Sequence, residues 1–255
     1  MSSNRPSSSD DMDPAQDMAS MQVAAVEPSP SQSSPAQSSP MQSSPLRSRP
    51  RHPEPLQLYL ASQSPRRLQL LEQLGLSPVV IIAEIDETPE PDEPPDAYVT
   101  RIAAAKAQAG WARLPEAPTG PLLAADTAVV IDGRPLGKPA DAETALSMLA
   151  LLSERTHEVL TAVTVLAVGP EGARAPSQRQ SLSRTEVRMR KIEPSEALSY
   201  WESGEPRDKA GAYAIQGLGA MFVESLHGSY SNVVGLPLYE TAALLREQGI
   251  EVLRS

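Results

Sequence analysis

Residues 122–141 read LLAADTAVVIDGRPLGKPAD, and the architecture is decided there. Apolar runs at 122–125 and 128–131 are parted only by Asp126 and Thr127, so the segment reads as a buried strand that continues after two polar residues. Asp132-Gly133 is a hairpin turn signal. Asp141 stands as a helix cap before Ala145, Leu146, Leu149 and Leu152, which recur at inward spacing. Strand, tight turn and helix in succession point to an α/β fold. A carboxylate among apolar residues is costly without a partner. Asp126 is therefore either a metal-binding or water-orienting group at a strand end bordering a crevice, or a turn or cap aspartate.

The pattern continues in both directions. Upstream, 56–61 reads as a short buried strand. Ser64-Pro65 opens a helix, with Ser suited to cap it and Pro to its first position. Leu68, Leu71 and Leu74 share one face and Gly75 stops the helix. A second strand is expected at 79–83, an acidic, proline-rich loop at 84–95 and an alanine-rich helix at 96–112. Downstream, 158–168 is β-rich, 169–180 reads as an elaborated hairpin loop, and 186–191 alternates Val187 and Met189 with charges. Helices follow at 194–203 and 237–248, with strands at 222–226 and 250–253.

Residues 1–55 differ from all of this. They are rich in Ser, Pro and Gln, contain no aromatic residue, and repeat a Q-S-S-P-type unit through SQSSPAQSSPMQSSP (31–45). Such a tract buries too little apolar surface to offset its chain entropy. A disordered tail is expected at 1–55 and a folded domain at 56–255. Asp10, Asp11, Asp13 and Asp17 count against a transit peptide.

Composition narrows the chemistry. The chain of 255 residues has no cysteine, which excludes disulfides, thiolate metal sites and a cysteine nucleophile. Its net charge is −10, and removing the four Lys/Arg and six Asp/Glu of 1–55 still leaves −8. No general affinity for nucleic acid or an anionic membrane is expected from such a balance. No stretch reaches the roughly 18–20 apolar residues of a membrane helix, and no signal-peptide core opens the chain. A soluble cytoplasmic protein is expected.

Cations gathered locally must then serve any anionic ligand. In LASQSPRR (60–67), small polar residues precede a helix whose first turn carries Arg66 and Arg67. Helix N-termini favour anions, so arginines there read either as part of a phosphate cradle with Ser62 and Ser64 or as solvated surface charges. Asp86-Glu87 follows an apolar run and could serve the same metal as Asp126, or merely belong to an acidic loop. Lys106, Lys138 in Gly-Lys-Pro, and Lys209 near a run of small residues are each a ligand contact or a surface charge. There is no P-loop, no complete dinucleotide fingerprint and no H-E-x-x-H, and His52, His157 and His227 are scattered. His157 reads as structural or as a substrate-edge residue. With oxygen ligands alone, Mg²⁺ or Mn²⁺ is favoured.

Together these segments resemble the Maf family of nucleoside triphosphate pyrophosphatases. The resemblance rests on LYLASQSPRRLQLLEQLG (58–75), EIDET (84–88), AADTAVVIDGRPLGKPAD (124–141), LSERTHEVLTAV (152–163) and EPRDKAGAYAIQGLGAMFVESLHGSYSNVVGLPLYET (205–241). It implies an elongated mixed α/β sheet in two lobes with a central cleft, similar to the inosine triphosphate pyrophosphatase fold, and a homodimer. It implies hydrolysis of a nucleoside triphosphate to the monophosphate and pyrophosphate with a divalent cation. By position, Asp126 matches the catalytic proton acceptor, and Arg66, Thr127 and Gln216 match substrate-selecting residues. Glu87 with Asp126 matches the metal site. Ser62, Arg67, Lys106, Lys138 and Lys209 match the phosphate-binding set, with Asp208 beside them. The DKAGAY and IQG segments resemble the subgroup acting on dTTP and UTP, including modified pyrimidine nucleotides. Glu154 and Ala214 stand where the family commonly has Gly. The resemblance also implies an alternative, a non-catalytic nucleotide-binding regulator of septum formation, since family members are associated with division arrest.

Overall fold

The computed structural model describes residues 56–116, 118–169 and 175–252. The expected tail at 1–55 lies outside them. Among the described residues seven strands form one mixed sheet in the order β2-β1-β3-β5-β6-β7, with β4 also on β3. They are β1 (Tyr59–Ala61), β2 (Val79–Val80), β3 (Leu122–Ile131), β4 (Arg134–Leu136), β5 (Thr156–Ala167), β6 (Ser177–Met189) and β7 (Val223–His227). Six α-helices interleave: α1 (Pro65–Gln73), α2 (Pro95–Trp111), α3 (Ala142–Leu152), α4 (Pro194–Glu202), α5 (Tyr230–Val234) and α6 (Leu238–Glu247). None of the described helices is long and apolar enough to cross a membrane.

The sheet separates two apolar layers because side chains alternate along each strand. On one face α2 lies over β3 and β5. Val99 and Ala103 meet Ala128, Val130, Leu160 and Ala162, while Ala107 meets Leu122, Ala124 and Leu166. Small residues let this helix approach closely: a Cβ on Gly110 would come within 2.7 Å of Ala61 Cβ. The other face holds the main core, where Leu70, Leu71, Leu149, Leu152 and Leu245 pack over Ala125, Val129, Val159 and Val163. Each such leucine contributes roughly 1.5–3 kcal/mol by leaving water.

Several expectations are corrected. Asp126 lies inside an unbroken ten-residue strand, not at a strand end. The expected strand at 79–83 is only Val79–Val80, and both residues are exposed. Ser64 occupies the cap position of α1, but its side chain makes no capping bond. Leu70 joins Leu71 on the buried face, with Leu68 only partly covered. Asp141 does cap α3, accepting from Thr144 N–H at 2.8 Å. Asp132 and Gly133 turn with φ of +50° and +71°, as a tight hairpin requires.

The loop expected at 169–180 is shorter, since β6 begins at Ser177 and pairs with β5 through Ala167↔Ser177. No strand forms at 250–252, and Leu253 lies outside the described residues. Instead Gly249 adopts φ +79° and Ile250 N–H returns to Leu245 O at 3.0 Å. That is a helix C-terminal motif in which Ile250 supplies the apolar contact.

Candidate active site

The site begins as a gap in β3. Its first part pairs with β1 up to Ala61↔Ala124, and its last part pairs with β4 from Val129↔Leu136. Residues 125–128 have no strand partner on that edge, although β5 covers the other edge throughout. Diverging neighbours leave a crevice in an α/β sheet, where ligands bind. Here the crevice is a cleft of about 770 Å³, and all ten residues expected in the site line it.

Asp126 and Thr127 are consecutive, so they face opposite sides of the sheet. Asp126 points to the α2 side and is 6 % exposed. Lys106 Nζ, from the middle of α2, donates to Asp126 Oδ1 at 2.8 Å and lies 3.0 Å from Glu87 Oε1. Burial pushes the Asp126 carboxyl above the usual carboxylate range, and Lys106 and then Arg67 pull it part of the way back. Glu87 reaches this point because its loop is tied to α2. Arg101 grips Glu93 with two hydrogen bonds of 2.6 Å and donates to Thr88 O at 3.2 Å. Tyr98 hydroxyl donates to Glu87 O at 2.9 Å. Asp86 is turned to its own loop, accepting from Thr88 N–H at 2.9 Å, and only Glu87 of the acidic pair lines the cleft.

On the other face Thr127 joins a buried polar chain. Arg67 Nη2 donates to Thr127 Oγ1 at 3.1 Å, Nη1 to Ser62 Oγ at 3.2 Å and Nε to Gly235 O at 2.8 Å. Thr161 hydroxyl donates to Asn232 O at 3.0 Å, which leaves Thr127 to donate to Thr161 across 2.9 Å. Asn232 Nδ2 ties to Val159 O and Thr185 Oγ1, both at 2.9 Å. Arg67 is thus engaged in joining α1, β3 and the turn after α5. Ser62 Oγ also accepts from Ser64 N–H at 3.2 Å, which fixes the turn leading into α1.

The remaining cations stand around the opening. Arg66, in the first turn of α1, has Nη1 3.7 Å from Asp208 Oδ2. Asp208 also pairs with the adjacent Lys209. Gly211 N–H bonds Gly137 O at 3.0 Å, tying the Lys209 loop to the loop that presents Lys138. Gly211 is needed there: its φ is +68°, and a Cβ would lie 2.9 Å from Val129 Cγ1. Gln216 forms part of the wall and is half-buried. His157 proves structural, sharing a 2.8 Å hydrogen bond with Tyr213 hydroxyl, and burial pulls it down to about 4.

Glu87 and Asp126 both reach the Lys106 ammonium, so the two carboxylates stand on the same side of the cleft, and each keeps an oxygen that Lys106 does not bind. Among the described residues no cluster of three His, Cys, Asp or Glu is present. Two carboxylates that leave coordination positions for phosphate oxygens and water suit Mg²⁺ or Mn²⁺ rather than a fully caged ion.

A profile of known sequences described as Maf-like protein matches residues 57–248. The chain belongs to the Maf family. A Maf relative from Nitrosomonas europaea named dTTP/UTP pyrophosphatase is 50% identical over 205 residues, which cover 76% of this chain and 96% of the relative. Another of the same name, from Bordetella parapertussis, is 51% identical over 205 residues, covering 78% and 96%. Among solved structures, a HAM1 protein from Coxiella burnetii aligns at TM-score 0.38 and 18% identity over 75% of this chain and 99% of its own. A dITP/XTP pyrophosphatase from Mycobacterium abscessus aligns at 0.36 and 16% over 76% and 95%.

Reading the Maf motifs residue by residue misses the supports: Tyr98 and Arg101 under Glu87, and Thr161, Thr185 and Asn232 behind Thr127. Asn232 carried a signal, since it is a lone amide among the apolar residues of SNVVGL. Thr161 and Thr185 carried none, because threonine in a strand is ordinary.

Proposed function

We propose that this Maf-family protein hydrolyses nucleoside triphosphates, dTTP and UTP foremost and modified pyrimidine nucleotides with them, to the monophosphate and pyrophosphate. The names of its half-identical relatives support the activity. The observation that carries it is a buried carboxylate, Asp126, at the edge of a cleft ringed by Arg66, Lys138 and Lys209. The triphosphate lies along these cations and Lys106, with the base toward Gln216, whose amide offers both a donor and an acceptor. Asp126 is the general base: it takes a proton from a water whose oxygen attacks the α-phosphorus. The bond from that phosphorus to the bridging oxygen breaks, and pyrophosphate leaves. Lys106 opposes the rise that burial imposes on the Asp126 carboxyl. Glu87 and Asp126 would hold a divalent Mg²⁺ or Mn²⁺, which offsets charge developing on the phosphates. Ser62 and Arg67 fix the floor on which the phosphates rest, and Arg66 and Thr127 join Gln216 in substrate selection. We place the enzyme in the cytoplasm as a homodimer, a state that light scattering reads directly.

The test is pyrophosphate release from dTTP and UTP by wild type and Asp126→Asn. The variant should lose about 10²–10⁴-fold in rate. Its melting curve checks that the variant is folded, so that the loss is read as a loss of chemistry. Near-wild-type release by the variant, or orthophosphate as first product, would overturn the assignment.

A further inference from the structure

Gln216 sits on the segment AYAIQGLG (212–219), in which two alanines and two glycines alternate with larger residues. The segment is pinned on both sides of the glutamine. Ala214 N–H donates to Tyr200 Oη at 3.1 Å, two residues before it. Leu218 and Gly219 N–H donate to Glu205 Oε2 and Oε1 at 2.8 and 2.9 Å, just after it. The two acceptors are themselves joined, since Tyr200 hydroxyl donates to Glu205 Oε1 at 2.8 Å. Gly217 lies between the anchors at φ +92° and ψ −149°, where a Cβ would stand 2.5 Å from Glu205 Oε2. Such backbone angles are essentially restricted to glycine. Tyr200 is held in turn by Phe222, edge to face at 5.2 Å between ring centres. Gln216 and Ala214 line the cleft, whereas Tyr200 and Glu205 do not.

We propose that Tyr200 and Glu205 are positioning residues for base selection, fixing the backbone at 214 and 218–219 and so aiming the Gln216 carboxamide at the pairing edge of a pyrimidine. The inference rests on the nucleoside triphosphate reading of the cleft. Uracil presents an N–H beside a carbonyl, and cytosine presents a bare ring nitrogen beside an amino group. An amide answers the first pattern with its oxygen toward the N–H and its nitrogen toward the carbonyl, and the second only after a half-turn of the carboxamide; a preference between them needs the amide held at one distance and angle, because such bonds weaken steeply when misaligned. A loop freed from its anchors loses that alignment while the phosphate end of the cleft is untouched.

Tyr200→Phe removes only the hydroxyl and leaves the ring on Phe222. Pyrophosphate release is measured with UTP and CTP as separate substrates. kcat/KM for UTP should fall about tenfold, chiefly through KM, and the preference for UTP over CTP should shrink with it. Glu205→Gln, which keeps the shape and loses one acceptor, should fall between wild type and Tyr200→Phe. In a Gln216→Ala background Tyr200→Phe should add little further loss, as expected for residues acting as one unit. Melting curves check that each variant is folded, and Glu205→Gln carries the test if Tyr200→Phe is not. An unchanged UTP-to-CTP preference in a folded variant, or full additivity with Gln216→Ala, overturns the inference. A wild-type protein silent with every nucleotide overturns the reading of the cleft, and this inference with it.

Discussion

Lys106 serves two carboxylates at once, and its ammonium is the strongest influence opposing the rise that burial imposes on Asp126. The acid limb of kcat/KM against pH should therefore have its midpoint above the ordinary aspartate value of about 3.9. Lys106→Met removes the largest downward pull, so the midpoint should move to higher pH in whatever activity remains. An unmoved or lowered midpoint would show that another group is the base. Glu154 makes a different residue-scale case. It holds φ +58°, is exposed, and stands where the Maf resemblance places glycine. A left-handed non-glycine residue costs roughly 1–2 kcal/mol. Glu154→Gly should raise the melting temperature by about 2–8 °C while pyrophosphate release stays unchanged. A lower melting temperature would mean that the Glu154 side chain stabilises the fold.

At the scale of elements, α2 is both a core helix and the mount for the acidic loop. Its sheet-facing residues are apolar, while Arg101 and Tyr98 bind the loop that carries Glu87. Arg101→Ala should leave the sheet packing intact, open the 84–94 segment to proteolysis and lower kcat/KM about tenfold by displacing Glu87. Unaltered proteolysis would show that Tyr98 and the prolines suffice. Most of these elements were legible because helical or alternating apolar spacing marked them. The first half of β6 was not: SQRQ (177–180) lacks strand-forming residues and is extended because β5 pairs with it. Ile250–Leu253 misled for the converse reason, an apolar run whose first residue closes a helix.

Over the whole molecule, segments distant in sequence meet at one gap in β3. Residue types and spacing alone left each candidate open between a ligand contact and a surface charge. The Maf resemblance named the set, and the gap that β1 and β4 leave on one edge of β3 explains why those residues come together. What no motif carries is the division between faces. Asp126, Lys106 and Glu87 meet on the α2 side, while the Gln216 loop packs through Tyr213 and Ile215 into the opposite core. Lys106→Met and Gln216→Ala share no hydrogen-bond or ion-pair partner, so their costs in kcat/KM should add to within about 0.5 kcal/mol. A larger coupling would mean that base recognition feeds into the hydrolytic step.

Because neighbouring positions of one strand look in opposite directions, the function proposed above lets mutation rewrite the choosing surface without touching the cutting one. That independence makes the scaffold a natural starting point for laboratory evolution toward nucleobases it does not now accept.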